Sequence, residues 1–203
     1  MIGVVDYRAG NAPSVGYALA RLGIEHQLVT TPDQIAAAER IILPGVGAAK
    51  ATLASLGESE LIDSLATKVV TDRAPFLGIC IGLQVLFDHS EEGNTPCLGW
   101  IPGQVKQFPL TARVPQIGWN SVQLRRDHPV TADFPDGGHC YFVNSYYAAP
   151  ADTADVLGST EYELDFCSIA AHDNIVATQF HAEKSGPLGL SLLRAFAGWD
   201  PQC

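Results

Sequence analysis

A cysteine between two glycines is the side chain of this sequence best suited to nucleophilic chemistry. The run Gly-Ile-Cys-Ile-Gly at 78–82 puts Cys80 where a predicted strand (76–79) meets a predicted helix (81–87). A tight turn with little flanking bulk lifts a side chain clear of a sheet, and the start of a helix favours a thiolate. The N–H of Ile81 is then free to face a developing oxyanion. Taken alone, however, such a cysteine is more often structural.

A histidine and a glutamate two residues apart form the second candidate group. His181 and Glu183 follow an apolar run predicted as a strand over 175–180. Because residues two apart on a strand share a face, we expect both side chains to point at one site. A carboxylate bonded to one ring nitrogen fixes the tautomer, and the other nitrogen can face a nucleophile. The alternative for this segment alone is a strand-end histidine beside an exposed glutamate.

A glycine-rich loop follows another predicted strand, residues 41–43, which is expected to stop at Pro44 and Gly45. The glycines on either side of Val46, at Gly45 and Gly47, let the backbone approach a ligand and aim its N–H groups inward. In isolation this run would be read as a turn. Its position favours a ligand-binding role, because ligands bind beyond the carboxyl ends of parallel strands. Cys80 is expected at the same edge.

Together the three segments supply a nucleophile, a base, an orienting carboxylate and oxyanion donors. The sequence therefore predicts acyl transfer through a thioester. The elements that must position these groups alternate short apolar runs with helix-like segments, a pattern typical of a parallel α/β sheet. In the first half, strands are predicted at 2–5, 27–30, 41–43 and 76–79, and helices at 11–22, 61–70 and 81–87.

The second half has a different sequence pattern, in which short predicted strands are separated by Pro, Gly and Asn. We predict an α/β fold whose mostly parallel sheet is flanked by helices and gains antiparallel strands in this half. At 203 residues the chain suits a single domain over 1–203. Predicted here are strands at 105–108, 121–124 and 141–143, a hairpin of 166–171 with 175–180, and a final helix at 187–197.

Composition narrows the classes of partner. A formal net charge of −10 argues against nucleic-acid binding, and no run of about 18 apolar residues could span a membrane. Five cysteines, without a Cys-x-x-Cys pair, support neither a disulfide framework nor a zinc site. The first residues lack the basic segment and cleavage site of a secretion signal, so a reducing cytoplasm is the expected location.

The motifs also resemble those of a known family. Gly-Ile-Cys-Ile-Gly-Leu-Gln at 78–84 and Thr-Gln-Phe-His-Ala-Glu-Lys-Ser at 178–185 are similar to the signature runs of the triad glutamine amidotransferases. Three further runs, at 43–47, 115–120 and 141–146, narrow the resemblance to the glutaminase subunits of imidazole glycerol phosphate synthase. The similarity extends over nearly the whole chain.

This resemblance implies a function and a set of roles. It implies a flavodoxin-like sheet and a glutaminase that passes ammonia to a cyclase subunit of (β/α)₈-barrel type, forming a heterodimer for histidine synthesis. L-glutamine is the implied substrate, and no metal or organic cofactor is implied. The implied triad is Cys80, His181 and Glu183; the implied oxyanion hole is the backbone of Gly45, Val46, Gly47 and Ile81; the implied substrate contacts are Gln84, Asn144 and Ser145.

Four positions depart from the family pattern, at Arg8, Ala49, Asn144 and Ala182. None of them removes a catalytic group. Ala182 stands where the family often has proline, which loosens the backbone between the histidine and the glutamate. Asn144 changes a hydrogen-bonding group near the substrate. Arg8 and Ala49 are expected to alter the face that meets the synthase partner.

Two other functions stay open from the sequence. The first is another enzyme on the same scaffold, either an amidotransferase that feeds a different synthase or a γ-glutamyl hydrolase. The second is a catalytically silent subunit that only regulates a partner, although an intact triad speaks against it.

Overall fold

The computed structural model describes residues 1–8 and 10–201, so Ala9, Gln202 and Cys203 lie outside the described part. Its first half alternates strands and helices along the chain. These elements are β1 (Ile2–Val5), α1 (Ala12–Arg21), β2 (His26–Val29), α2 (Pro32–Ala37), β3 (Arg40–Gly45), α3 (Ala49–Glu58), α4 (Ile62–Ala66) with a π-helical extension (Thr67–Thr71), β4 (Phe76–Cys80) and α5 (Ile81–Gln84).

The second half consists mainly of strands and ends in a helix. Short 3₁₀ turns at Pro129–Thr131, Thr153–Asp155 and Ala182–Lys184 interrupt it. Its elements are β5 (His89–Ser90), β6 (Thr95–Pro96), β7 (Gly103–Gln107), β8 (Gln116–Leu124), β9 (Gly138–Asn144), β10 (Tyr146–Pro150), β11 (Val156–Glu161), β12 (Asp165–His172), β13 (Ile175–Thr178) and α6 (Gly186–Gly198).

The sheet has a parallel centre and antiparallel additions, as predicted. Its strand order is β2-β1-β3-β4-β13-β12-β10-β7-β5-β6, and β11 connects β12 to β8, which pairs with β9. Pairing is parallel from β2 as far as β13 and antiparallel from β13 to β12 and onward to β7. The last strand of the chain therefore inserts beside β4, which ends in Cys80.

The central strands are apolar because helices cover both faces of the sheet. Alternate residues of β3 enter different cores, with Ile42 on one face and Ile41 and Leu43 on the other. Helices α1 and α6 contribute to the first core, and α2, α3 and α4 contribute to the second. Among the described residues, no helix is long and apolar enough to cross a membrane.

The prediction that β3 stops at Pro44 is wrong, because Pro44 and Gly45 pair in parallel with Ile79 and Cys80. Pairing of β3 with β1 ends at Ile42, so β3 is an edge on that side when it reaches Pro44. A proline that lacks an N–H donor is tolerated at such an edge. The strand therefore ends two residues later than the sequence indicates, at Gly45 instead of Leu43.

Helical boundaries also differ from the predictions. The helix expected over 81–87 is a single turn, Ile81–Gln84, and the one expected over 61–70 changes to π-helical pairing at Thr67. Helix α3 was not predicted, and neither was α2, which starts with a capping box between Thr31 and Gln34.

Candidate active site

Cys80 occupies a strained turn between β4 and α5. Its backbone has φ 57° and ψ −107°, a left-handed conformation that non-glycine residues rarely adopt. The flanking glycines are required by packing. A Cβ on Gly82 would lie 1.9 Å from the carbonyl oxygen of Leu43, and one on Gly78 would lie 2.5 Å from that of Gly82. The turn holds Cys80 at the carboxyl edge of the parallel strands, 7% exposed.

His181 and Glu183 are paired, although not by the geometry expected. His181 Nδ1 donates to Glu183 Oε1 at 2.9 Å, and the two side chains are 2% and 1% exposed. The prediction of two residues sharing a strand face is wrong, because β13 ends at Thr178 and Glu183 lies in a 3₁₀ turn. The turn folds the carboxylate back under the imidazole, so the pair forms within three residues.

The electrostatics of this group favour a charged imidazole. Burial alone would lower the pKa of His181. Its hydrogen bonds with Cys80 and Glu183 and the charge of both partners outweigh burial and raise the pKa from 6.5 to about 9. At neutral pH the imidazolium is therefore the expected form. Such a ring can stabilise a neighbouring thiolate and can donate a proton.

Asn11 supports the glutamate from the other side and was not identified from the sequence. Its Nδ2 donates to Glu183 Oε1 at 2.5 Å, the same oxygen that accepts from His181. Asn11 is the N-cap residue of α1, yet its side chain makes no capping bond. No sequence pattern indicates this role, because an asparagine before a helix already has a local explanation as a capping residue.

A cavity of about 390 Å³ opens beside Cys80, a volume at the lower end of ligand pockets. It brings together eight of the ten residues named from the sequence, while Gly45 is packed beneath it against Ile81 and Tyr7, and Glu183 lies behind His181. Its lining is Val46, Gly47, Ala48, Cys80, Ile81, Gln84, Glu92, Pro115, Val143, Asn144, Ser145, Tyr146 and His181.

A larger, more open depression of about 770 Å³ lies elsewhere, around Arg125, Arg126 and His128. It contains none of the residues named from the sequence. We therefore regard the smaller cavity as the site, because it holds the reactive groups. Within residues 1–8 and 10–201, no three metal-binding side chains cluster in a way that could hold an ion.

Glu92 is a pocket residue that sequence reasoning missed. It is the only carboxylate in the lining, and its Oε2 accepts a hydrogen bond from the N–H of Ala49 at 3.0 Å. It lies in a surface-like turn between β5 and β6, and nothing in the sequence distinguishes it from Glu91. Ala49 itself is fully buried, so its side chain does not contribute directly to the surface.

Buried amides connect the pocket to the sulfur. Gln84 Nε2 donates to Tyr146 O at 3.1 Å and to Gln179 Oε1 at 3.0 Å, and Gln179 Nε2 donates to Cys80 Sγ at 3.9 Å. Asn144 Nδ2 donates to the same Tyr146 oxygen at 3.0 Å. Gln179 was not among the predicted site residues, although it stands within the 178–185 motif.

Comparison with known proteins shows the family of the chain. The model of the glutamine amidotransferase class-I family matches residues 3–197. The chain belongs to that family. As an amidotransferase it is 47% identical to imidazole glycerol phosphate synthase subunit HisH of Dehalococcoides mccartyi, over 97% of this chain and 96% of the relative. It is 46% identical to the subunit of the same name from Chloroflexus aurantiacus, over 98% and 96%.

The fold of this amidotransferase is also found among solved structures. One crystal structure of a glutamine amidotransferase superposes with a TM-score of 0.76 at 20% identity, covering 98% of this chain and 99% of the other. At that identity the likeness concerns the fold. The α/β architecture predicted from the sequence is therefore confirmed.

Proposed function

We propose that this chain is the glutaminase subunit of imidazole glycerol phosphate synthase and that it works through a Cys80 thioester. It hydrolyses glutamine to glutamate and ammonia and delivers the ammonia to a cyclase subunit. The observation that carries the proposal is the buried Cys80–His181–Glu183 group at the wall of a pocket of amino-acid size. The relatives that share nearly the whole chain support the same assignment.

In the first step the Cys80 thiolate attacks the side-chain carboxamide carbon of glutamine. A carbon–sulfur bond forms, and the carbonyl electrons move onto oxygen. Donors for this oxyanion are the N–H of Ile81, which as the first helical residue has no partner within α5, and the backbone at Val46 and Gly47. Gly45 provides the close packing that lets this loop approach Cys80.

His181 moves the protons. As an imidazolium it protonates the carboxamide nitrogen, so the carbon–nitrogen bond breaks, ammonia leaves and the γ-glutamyl thioester remains. As a neutral imidazole it then takes a proton from water, which attacks the thioester and releases glutamate and the thiolate. Glu183 keeps its charge throughout, fixing the Nδ1–H tautomer and stabilising the imidazolium.

The pocket offers groups for the remainder of the substrate. Glu92 carries the negative charge that complements the α-ammonium of glutamine. Gln84, Asn144 and Ser145 add polar contacts around the reacting end. Asn144 Oδ1 is buried and has no hydrogen-bond partner among the described residues, so it is available to a donor on the ligand.

The cyclase, a (β/α)₈ barrel in this proposal, docks around the pocket mouth. Exposed apolar side chains lie in the lining or on the strand that continues from it: Val46 of the lining is 41% exposed, and Ile117 and Trp119 of β8, which follows Pro115 of the lining, are 64% and 57% exposed. Apolar patches of this kind mark protein interfaces. The complex works in a reducing compartment such as the cytoplasm, because Cys80 acts only as a free thiol.

The test is reconstitution with the cyclase and its ribulosyl substrate. Cys80→Ala is expected to abolish glutamine-dependent synthesis and to spare synthesis from added ammonia. Glutamine hydrolysis retained by this variant would overturn the thioester mechanism. Glutamine hydrolysis by the unaltered chain that no cyclase couples to synthesis would favour a γ-glutamyl hydrolase or a different synthase instead.

A further inference from the structure

Gln179 lies between the sulfur and the pocket without lining the pocket. Its side chain is fully buried, and its backbone N–H donates to Ser168 O at 2.9 Å, which anchors it to β12. Its carboxamide makes two contacts of opposite kind. The oxygen accepts from Gln84 Nε2 at 3.0 Å, and the nitrogen donates to Cys80 Sγ at 3.9 Å. The mechanism described above gives this residue no role.

The direction of these bonds is set by a backbone carbonyl. Tyr146 O can only accept, so the group of Gln84 that contacts it must be the NH₂ group. The other N–H of that group faces Gln179, so Gln179 must present its oxygen there. Its own NH₂ group is then turned toward Cys80 Sγ. A chain of two amides, fixed at one end by the backbone, therefore points a donor at the sulfur.

We propose that Gln179 is a positioning residue, which holds the Cys80 sulfur with an N–H donor and couples it to Gln84 on the pocket wall. The inference rests on the proposed function for its catalytic meaning. The geometry requires a carboxamide, because neither an apolar side chain nor a carboxylate could both accept from Gln84 and donate to sulfur.

The donor has a consequence for the charge on the sulfur. His181 faces Cys80 from the 3₁₀ turn, Tyr7 interacts with it electrostatically from the end of β1, and Glu92 shares the pocket with it. Of these three groups, His181 contributes the positive charge that stabilises a thiolate, and the carboxylate of Glu92 disfavours a thiolate by its negative charge. The N–H of Gln179 stabilises the thiolate without adding charge, both before attack and when sulfur leaves the thioester.

The experiment measures the rate of Cys80 alkylation by iodoacetamide against pH, resolved by mass spectrometry of the Cys80 peptide. Iodoacetamide does not require glutamine recognition, so the measurement is independent of turnover. Cys97, Cys140 and Cys167 should react slowly at neutral pH, because burial raises the pKa of Cys97 to about 11, that of Cys140 to about 12, and that of Cys167 as well. The variants are Gln179→Met, which removes the donor, and Gln179→Glu, which also adds negative charge.

The matched control is Gln116→Met. Gln116 is also buried, at 3% exposure, and its Oε1 has no partner among the described residues. For Gln179→Met we expect alkylation at pH 7 to slow about tenfold and its midpoint to move up about one pH unit, because one hydrogen bond to a charged group is lost. Gln179→Glu should move the alkylation midpoint further up, and Gln116→Met should leave the midpoint unchanged.

An unchanged alkylation profile in folded Gln179→Met or Gln179→Glu would overturn the proposal. If neither variant folds, the wild-type chain decides, because the Gln179 side-chain NH₂ resonance should titrate with the alkylation midpoint. A resonance that does not follow it would also overturn the proposal. The alkylation profiles of the Gln179 variants could shift as expected while the wild type, reconstituted with the cyclase, fails to hydrolyse glutamine. That result would overturn the proposed function and leave the role of Gln179 standing. With turnover present, Gln179→Met should lower kcat more than it raises KM.

Discussion

The turn that carries Cys80 and the turn that carries His181 are fixed by different kinds of contact. Around Cys80 the contacts are steric, because Gly78 and Gly82 allow strand, turn and helix to pack closer than any side chain would permit. Around His181 they are polar. Ser185 Oγ donates to His181 O at 2.7 Å and accepts from Tyr141 N at 3.0 Å.

The difference shows which half of the site tolerates change. A close-packed turn has no spare space, so a single added methyl group must move backbone. A hydrogen-bonded turn can lose one contact and keep its shape at lower cost. We therefore expect substitutions near Cys80 to affect folding, and those near His181 to affect chemistry or to have modest effects on stability.

The largest effect should come from Glu183→Gln. The substitution keeps the shape of the side chain but removes the charge that stabilises the imidazolium and fixes its tautomer. Glutaminase kcat with the cyclase should fall on the order of 10⁴-fold, as for loss of the orienting carboxylate in triad enzymes. Unfolding should remain cooperative. A loss below about tenfold would mean that Glu183 is not an orienting group.

Gly82→Ala should be the most damaging of the structural changes. The new Cβ would lie 1.9 Å from Leu43 O, a backbone atom that cannot move without shifting β3. We expect the free energy of unfolding by urea to fall by about 3 kcal/mol or more. Gly57→Ala is the control, since its nearest neighbour outside the helix would be Ile62 Cδ1 at 3.8 Å. Equal stability of the two variants would contradict the steric account.

Stability should also decrease at alkaline pH. The pKa of His181 is raised to about 9 in the folded chain from 6.5, so its contribution is complete below pH 6.5 and is lost as pH rises through 9. The loss should amount to about 3 kcal/mol at most. Urea unfolding between pH 6 and 10 measures it. Cys80→Ala should flatten the curve, because the hydrogen bond with Cys80 is the larger of the contributions that raise this pKa.

The smallest effect is expected for Ser185→Ala. It leaves the N–H of Tyr141 and the carbonyl of His181 without their side-chain partner, at a cost of about 1–2 kcal/mol. Ser191→Ala removes a single bond to Leu188 O on α6 and serves as the control. A greater loss for the control would show that Ser185 does not hold the His181 turn.

The sequence identified the reacting residues because each belongs to a short local motif. The flanking glycines predicted the role of Cys80, and the uninterrupted apolar runs predicted the parallel centre of the sheet. His181 and Glu183 were the correct pair for the wrong reason, since a turn and not strand alternation joins them. Local periodicity does not reveal where a strand ends when polar contacts with β9 decide it.

Residues that reach the site across the fold could not be predicted. Asn11, Glu92 and Gln179 approach from a helix cap, a hairpin-like turn and a buried strand end, and each has an ordinary local reason to be where it is. Their contacts join positions 43, 99 and 172 residues apart along the chain, farther than a pattern within a window of residues can reach.

The register of β13 against β4 restricts where the chain can gain or lose residues near the site. Thr178 pairs with Ile79, so Cys80, the last residue of β4, and the chain that continues from β13 to His181 leave one hydrogen-bonded ladder next to each other. Deleting one residue from β13 would shift His181 by about 3.3 Å and turn the alternating side chains of the strand to the opposite face. Insertions are thus confined to connections outside the two strands, where the chain can lengthen without separating base from nucleophile.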